Sequence, residues 1–189
     1  MTKSVVSDLD VAPAAVREPR PFLYLKPARL PFCSDTIDAD GCEHLQATVL
    51  PSVPALVRSL VDYTIERQNR RALERGNPQA IQVSVLNRRR RAARSWILAI
   101  LGGKVDGASR HAVATQWIPM LTGTGPNLEH MARPAHVLIE FLRGAITACL
   151  FDEVAANLLP HTRALHVLET TLSVHLATIQ QQARVAATK

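Results

Sequence analysis

The pattern of apolar and polar residues predicts one helix that is apolar on almost every side. In residues 136–151, the polar side chains Glu140, Arg143 and Thr147 fall on one narrow helical stripe, and the other positions are apolar or small. A helix with this pattern is typically surrounded by other helices. At about 24 Å it is too short and too charged to cross a lipid bilayer. We therefore expect residues 136–151 to be the central helix of a helical domain.

Helical periodicity continues on both sides of this segment and is interrupted by proline and glycine. Ser52 and Pro54 are typical of the first turn of a helix, and the run Gly76-Asn77-Pro78 is a strong stop signal. Pro119 is expected to kink or end a helix that Ser109 caps. The predicted helices cover residues 42–50, 52–75, 78–102, 110–117, 126–131, 136–151 and 160–185.

Composition agrees with an all-α class. Apolar residues make up 47% of the 189 residues and aromatic residues only 4%, so the core must consist of leucine, isoleucine, valine and alanine. Glycine, at 8 residues, is scarce. Residues 1–41 differ from the rest, because they contain five of the twelve prolines. We predict a multi-helix bundle around the central apolar helix, with an extended N-terminal arm at 1–41 and a helical domain at 42–189.

Positive charge is concentrated in one part of the chain. Between Arg67 and Arg94 there are nine arginines and one acid, Glu74, so this segment carries +8 and the rest of the chain, whose total is +6, carries −2. A solvated helix face is the first explanation of such a band, since helix-turn-helix spacing and RNA-stacking aromatic residues are missing. The alternative is an anionic partner such as nucleic acid. Four consecutive arginines at 88–91 cover every direction around a helix, so at least one must face the body of the protein or its rim. The candidate anion-binding residues are Arg67, Arg70, Arg71, Arg88, Arg89, Arg90, Arg91 and Arg94.

No residues have the spacing that catalysis or metal binding requires. The seven histidines form no HExxH pair. The two glycine-rich segments, residues 102–107 and 122–126, do not end in the Gly-Lys-Ser/Thr of a phosphate loop. Cys33, Cys42 and Cys149 are an odd number at no metal spacing. We therefore predict that the protein is not an enzyme and has no cofactor. Haem is the alternative, with His130 and His136 as candidate axial ligands because they lie beside the central apolar helix.

The last predicted helix carries apolar residues at steps of three and four. This heptad-like seam is typical of a helix that pairs with another helix. We therefore expect a homodimer through the C-terminal helix. The seam consists of Leu165, Leu168, Leu172, His175 or Leu176, Ile179 and Ala183.

The N-terminus gives an expectation about the compartment. Its first ten residues contain two acids and no apolar run, which does not fit a secretory signal. No membrane span is predicted either. We therefore expect a cytoplasmic protein, in a reducing compartment.

Four features follow one another in the second half of the chain. They are the pattern Arg-x-x-Ala-Arg-x-Trp at residues 90–96, a short helix with Trp117, the long apolar helix 136–151, and the heptad-like helix. This order, over roughly residues 45–185, resembles the globin-like sensor family, the N-terminal input domains of bacterial stress regulators and globin-coupled sensors. The resemblance implies a globin-like bundle of about six to eight helices that receives a signal and often dimerises. Several members of that family bind no haem, so the resemblance alone implies no cofactor.

These observations lead to one hypothesis and two alternatives. The leading hypothesis is a non-catalytic regulatory or sensory helical domain that acts through a ligand or a protein partner. The first alternative is a nucleic-acid-binding protein that uses the arginines between Arg67 and Arg94. The second is a globin-like protein that binds haem or another tetrapyrrole.

Overall fold

The computed structural model describes residues 38–76, 81–123, 130–152 and 158–188, and every regular element within these ranges is helical. The predicted all-α fold class is confirmed. Residues 1–37 of the predicted arm, and most of the predicted helix at 126–131, lie outside the described residues. The elements are α1 (Ala39–Val49), a 3-10 turn (Leu50–Ser52), α2 (Val53–Glu74), α3 (Val83–Leu101), α4 (Gly107–Ala112), a π-helical turn (Val113–Trp117), α5 (Ile118–Thr122), α6 (Ala132–Asp152) and α7 (Leu158–Ala187).

Aspartate side chains begin two of these helices earlier than the sequence pattern predicts. The Gly41 backbone N–H donates to Asp38 Oδ1 at 3.2 Å, so α1 begins three residues before the expected start at residue 42. Likewise, the Ser109 N–H donates to Asp106 Oδ1 at 2.8 Å. The prediction that Ser109 caps this helix is therefore wrong, because Asp106 accepts the exposed backbone donor instead.

Pro119 alters the helical path without ending it. The five residues before α5 form a π-helical turn, and Pro119 lies in the first turn of α5. A π-helical turn is one way for a helix to accommodate a residue that has no backbone N–H. The α5 helix then ends at Gly123, whose φ of +65° is in the left-handed region that favours glycine.

The α1 helix packs closely along α7. A Cβ atom at Gly41 would come within 2.9 Å of both the Arg163 carbonyl oxygen and Val167 Cγ2. Because a side chain at this position would clash with the backbone of α7, the contact requires glycine. Next to it, Arg163 forms ion pairs with Asp38 at 3.1 Å and with Asp40 at 2.6 Å, which join the N-terminal parts of the two helices.

The core lies between the long helices, and α6 contributes one face to it. Trp96 of α3 is fully buried there, and Tyr63 of α2 stacks on Phe141 of α6 with ring centroids 4.8 Å apart. On the other side of α6, Gly144 and Ala148 are exposed. The structure therefore buries one face of α6 rather than its whole circumference. The buried face consists of Ala135, Leu138, Ile139, Leu142, Ile146 and Leu150.

Among the described residues, α6 is the one helix whose length and apolar character would allow it to cross a membrane. The stretch from Ala132 to Phe151 has a mean hydropathy of 1.3, and 33% of it is buried inside the protein. This helix is longer than the predicted 136–151, so length alone does not exclude a bilayer span. Its contacts with α1, α2 and α7 are those of a core helix that packs one apolar face.

The heptad-like seam of α7 faces the interior of the same chain. Leu168, Leu172, Ile179 and Ala183 are buried, and α7 packs against α1, α3, α4 and α6. These side chains therefore cannot also form a seam with a second copy. Packing within one chain therefore accounts for the apolar seam, and the homodimer stays a prediction.

Candidate functional site

The predicted arginine band is divided between α2 and α3, which pack against each other. On α2, Arg67 is half-buried and Arg71 is exposed. Arg70 is also exposed, but its Nη2 lies 3.0 Å from Glu66 Oε1, one turn earlier. The positive charge on α2 is thus partly neutralised within the helix, and most of the unneutralised charge of the band lies on α3.

The exposed side of α3 carries four arginines, which we call the basic face of α3: Arg88, Arg90, Arg91 and Arg94. The helix contains no aspartate or glutamate. None of the four guanidinium groups forms a hydrogen bond or an ion pair with another described residue. Four positive charges within two helical turns therefore face the solvent without a negative partner on the described surface.

Arg89 lies on the opposite side of α3 and does not belong to this face. Its side chain is only 2% exposed, and its Nη2 donates a hydrogen bond to Gln68 Oε1 on α2. The other two guanidinium nitrogens, Nε and Nη1, are buried without a hydrogen-bond partner. Burial lowers the pKa of the Arg89 guanidinium from its usual value. The prediction that Arg89 binds an anion at the surface is therefore wrong.

Neither candidate haem ligand is enclosed by apolar side chains. His130 is exposed, and His136 is half-buried in the first turns of α6. A haem ligand needs an apolar pocket that seats the ring. A groove of about 490 Å³ lies along the outer side of α2, and neither histidine lines it. Its lining residues are Asp62, Ile65, Glu66, Asn69, Arg70 and Leu73.

A buried histidine on α7 forms a polar contact that the sequence does not predict. The Trp96 indole N–H donates to His175 Nδ1 at 3.3 Å, and His175 Nε2 lies 3.1 Å from the Lys104 carbonyl oxygen. An indole nitrogen can only donate, so Nδ1 accepts, and Nε2 must carry the proton that it donates to Lys104. Burial lowers the pKa of His175 from 6.5 to about 4. The neutral imidazole therefore joins α7 to α3 and to the segment that follows α3.

Two further histidines pack against each other where α1 meets α7. The rings of His44 and His161 pack edge to face, with centroids 4.7 Å apart, and His44 Nε2 is buried without a hydrogen-bond partner. Burial, and then the charge of Asp38, raise the pKa of the nearby Cys42 thiol. No group of three or more histidine, cysteine, aspartate or glutamate side chains among the described residues could hold a metal ion.

The surface of α3 also includes exposed residues that the sequence pattern does not indicate. Between and beside the arginines, Ser84, Asn87, Ser95 and Leu98 are exposed. A helical projection with Arg89 pointing inward would place these four residues on the exposed side. The sequence alone, however, does not identify which arginine points inward. Serine, asparagine and arginine side chains can all donate hydrogen bonds to an anionic or polar surface.

Comparison with known proteins adds no assignment to this geometry. No protein-family model matches the chain, and no curated protein or solved structure matches it either. The resemblance to globin-like sensors thus remains a prediction from the order of the helices.

Proposed function

We propose that the protein is a regulatory domain without catalytic activity of its own, and that it binds nucleic acid through the basic face of α3. The observation that carries the proposal is the set of four exposed arginines on a helix that contains no acid. Phosphate groups are the natural partners of such a surface, because each contact releases condensed counterions into solution. The guanidinium group also donates parallel hydrogen bonds that match the geometry of phosphate.

The distribution of charge favours a specific surface over general basicity. Outside the segment from Arg67 to Arg94 the chain carries a net charge of −2. A polyanion that approaches the protein is therefore attracted to one region and weakly repelled elsewhere. Long-range attraction of this kind orients a partner before contact and decreases with ionic strength.

The proposal is tested with a fluorescently labelled DNA duplex of about two helical turns, roughly 20 base pairs. Fluorescence anisotropy across a salt series is measured for the wild type and for the variant Arg88→Gln/Arg90→Gln/Arg91→Gln/Arg94→Gln. We expect the variant to lose most of its affinity. The slope of log affinity against log salt concentration should fall by about 0.9 for each phosphate contact that is removed.

A control variant with the same net charge separates the basic face of α3 from bulk charge. Arg58, Arg110, Arg133 and Arg184 are exposed and lie on other helices, and they form no ion pair with a described residue. Changing these four residues to glutamine should leave most of the affinity intact. The proposal fails if the wild type does not bind at low salt, or if the two variants lose affinity equally.

The cytoplasm is the compartment that we propose for this activity. Cys42 and Cys149 are both free thiols, which suits a reducing environment. Fractionation of the native host, with detection of the full chain, tests this assignment. Recovery of the protein in a membrane or secreted fraction would contradict it.

A further inference from the structure

We infer that the nucleic acid is a duplex and that α3 enters its major groove. In this arrangement Asn87 and Arg91 face the base edges, and Arg88 and Arg90 face the phosphates of the two strands. The inference rests on the proposed function and adds the form of the partner and the role of each side chain. The angular positions of the exposed residues around α3 support this arrangement.

Successive residues of an α-helix are rotated by about 100° around its axis. Arg88 and Arg90 therefore lie roughly 160° apart across the exposed side of α3. Asn87 and Arg91 lie close to the midline between them, each within about 20° of it. All four side chains are exposed. Arginines thus mark the two edges of the exposed surface, while an asparagine and an arginine occupy its centre.

This arrangement matches the shape of B-form DNA. A helix with its side chains is about 10–12 Å across, and the major groove is about 12 Å wide. A helix in the groove directs its midline toward the bases and its two edges toward the two sugar–phosphate backbones. Arg94 lies between the midline and the edge formed by Arg90, so it reaches the same strand as Arg90.

The central side chains have the chemistry of base recognition. Arginine can donate two hydrogen bonds to guanine O6 and N7, and asparagine can bond adenine through N6 and N7. Leu98 is 38% exposed on the same midline and offers an apolar contact to a thymine methyl group. The small side chains of Ser84 and Ser95, on the same exposed surface, would not obstruct entry of the helix into the groove.

Single-stranded nucleic acid fits this surface less well. Proteins that bind single strands typically stack the bases on exposed aromatic rings. The basic face of α3 contains no aromatic residue, and the one aromatic side chain of the helix, Trp96, is fully buried. The surface therefore provides positive charge and hydrogen-bond donors, which suit a paired and regular phosphate backbone.

The test compares two double variants of the full chain and uses three probes: a DNA duplex, its single strand, and heparin. The edge variant is Arg88→Gln/Arg90→Gln, and the centre variant is Asn87→Ala/Arg91→Gln. For the edge variant we expect weaker binding to every sequence and a salt slope lower by about 1.8. For the centre variant we expect selection from a randomised duplex pool to lose its base preference, with about 10-fold less discrimination between preferred and non-preferred duplexes.

The outcomes separate this inference from the proposed function. Tighter binding to the duplex than to the single strand or heparin, with the expected difference between the two variants, supports the inference. Equal affinity for all three probes, or the same response of both variants, overturns the inference but leaves a nucleic-acid-binding surface. Absence of binding to any probe at low salt overturns the proposed function itself. Arg184→Gln serves as the control for the loss of a single charge.

Discussion

His175 should make the stability of the protein depend on pH in the mildly acidic range. Its imidazole is fully buried on α7, accepts a hydrogen bond from Trp96 and donates one to the Lys104 carbonyl oxygen. Protonation would place a second N–H on Nδ1, where it would face the indole N–H of Trp96. The folded protein therefore disfavours the charged form, and burial lowers the pKa of His175 to about 4.

The sign and size of the effect follow from linkage. In the unfolded chain His175 has its ordinary pKa of 6.5, so between pH 6.5 and 4 the unfolded state binds a proton more readily than the folded state. The free energy of unfolding must therefore fall as the pH falls through this window. A difference of about 2.5 in pKa corresponds to about 3 kcal/mol in total, of which about 2 kcal/mol is lost between pH 7.5 and pH 5.

The assay is urea unfolding followed by circular dichroism at pH 7.5 and pH 5. Because other histidines and carboxylates also titrate, the informative quantity is the difference between the wild type and His175→Gln. Glutamine keeps one hydrogen-bond donor and one acceptor but does not titrate. We expect this variant to lose about 2 kcal/mol less than the wild type over the same pH interval.

An exposed histidine on the same helix provides the control for this experiment. His166→Gln makes the same substitution on α7 at a solvent-exposed position. Its loss of stability between pH 7.5 and pH 5 should equal that of the wild type. If His175→Gln shows the same loss as the wild type, then His175 is not held neutral by its surroundings and the reasoning is wrong.

Three further substitutions, one of them with an exposed control, test the packing of the fold. Gly41→Ala should destabilise the protein by about 1–3 kcal/mol, because its Cβ would lie 2.9 Å from the Arg163 carbonyl oxygen. Gly144→Ala, where the added Cβ would meet no atom within 4 Å beyond the neighbouring residues of its own helix, should stabilise α6 by about 0.5–1 kcal/mol. An opposite order of the two variants in urea unfolding would contradict this packing. Arg89→Met should raise the free energy of unfolding by about 1 kcal/mol or more, because it replaces a buried, incompletely bonded charge with an apolar side chain. The exposed control Arg91→Met should change stability little, and a loss of stability in Arg89→Met alone would show that the buried guanidinium stabilises the fold.

Local sequence chemistry predicts where the helices lie. The expected helix at 52–75 is observed as α2, Val53–Glu74, because a proline in the first turn and a glycine after the last turn act on neighbouring residues alone. The start of α1 is less predictable, since it depends on whether the Asp38 side chain turns back to the Gly41 N–H. Helix ends are thus set by interactions within a few residues, so the predicted starts of α1 and α4 each lie only three residues from the observed ones.

The side of each helix that faces the core is harder to predict from sequence, because it depends on contacts between distant segments. The narrow polar stripe of 136–151 marks only part of the exposed side of α6, which also includes Gly144 and Ala148. The hydrogen bond between His175 and the Lys104 carbonyl joins residues that are 71 positions apart. No local pattern contains that information. A buried tryptophan that needs an acceptor for its indole N–H is the one signal that points toward such a partner.

The orientation of the basic face of α3 also depends on contacts between distant segments, because the buried Arg89 determines which way the other arginines point. Gln68 provides an acceptor for Arg89, and Gly123 leaves the space that its guanidinium occupies, since a Cβ there would lie 3.0 Å from Arg89 Nη2. Rotating α3 by one residue, about 100°, would bring Arg88 or Arg90 inward and would also turn Trp96 out of the core. The contacts of Arg89 and Trp96 therefore hold α3 in the single rotation that exposes its four remaining arginines together. The positions of those arginines follow from core packing, so Arg89→Met, with an apolar side chain at the same inward position, should keep α3 in this rotation and leave nucleic-acid binding, measured by fluorescence anisotropy, unchanged.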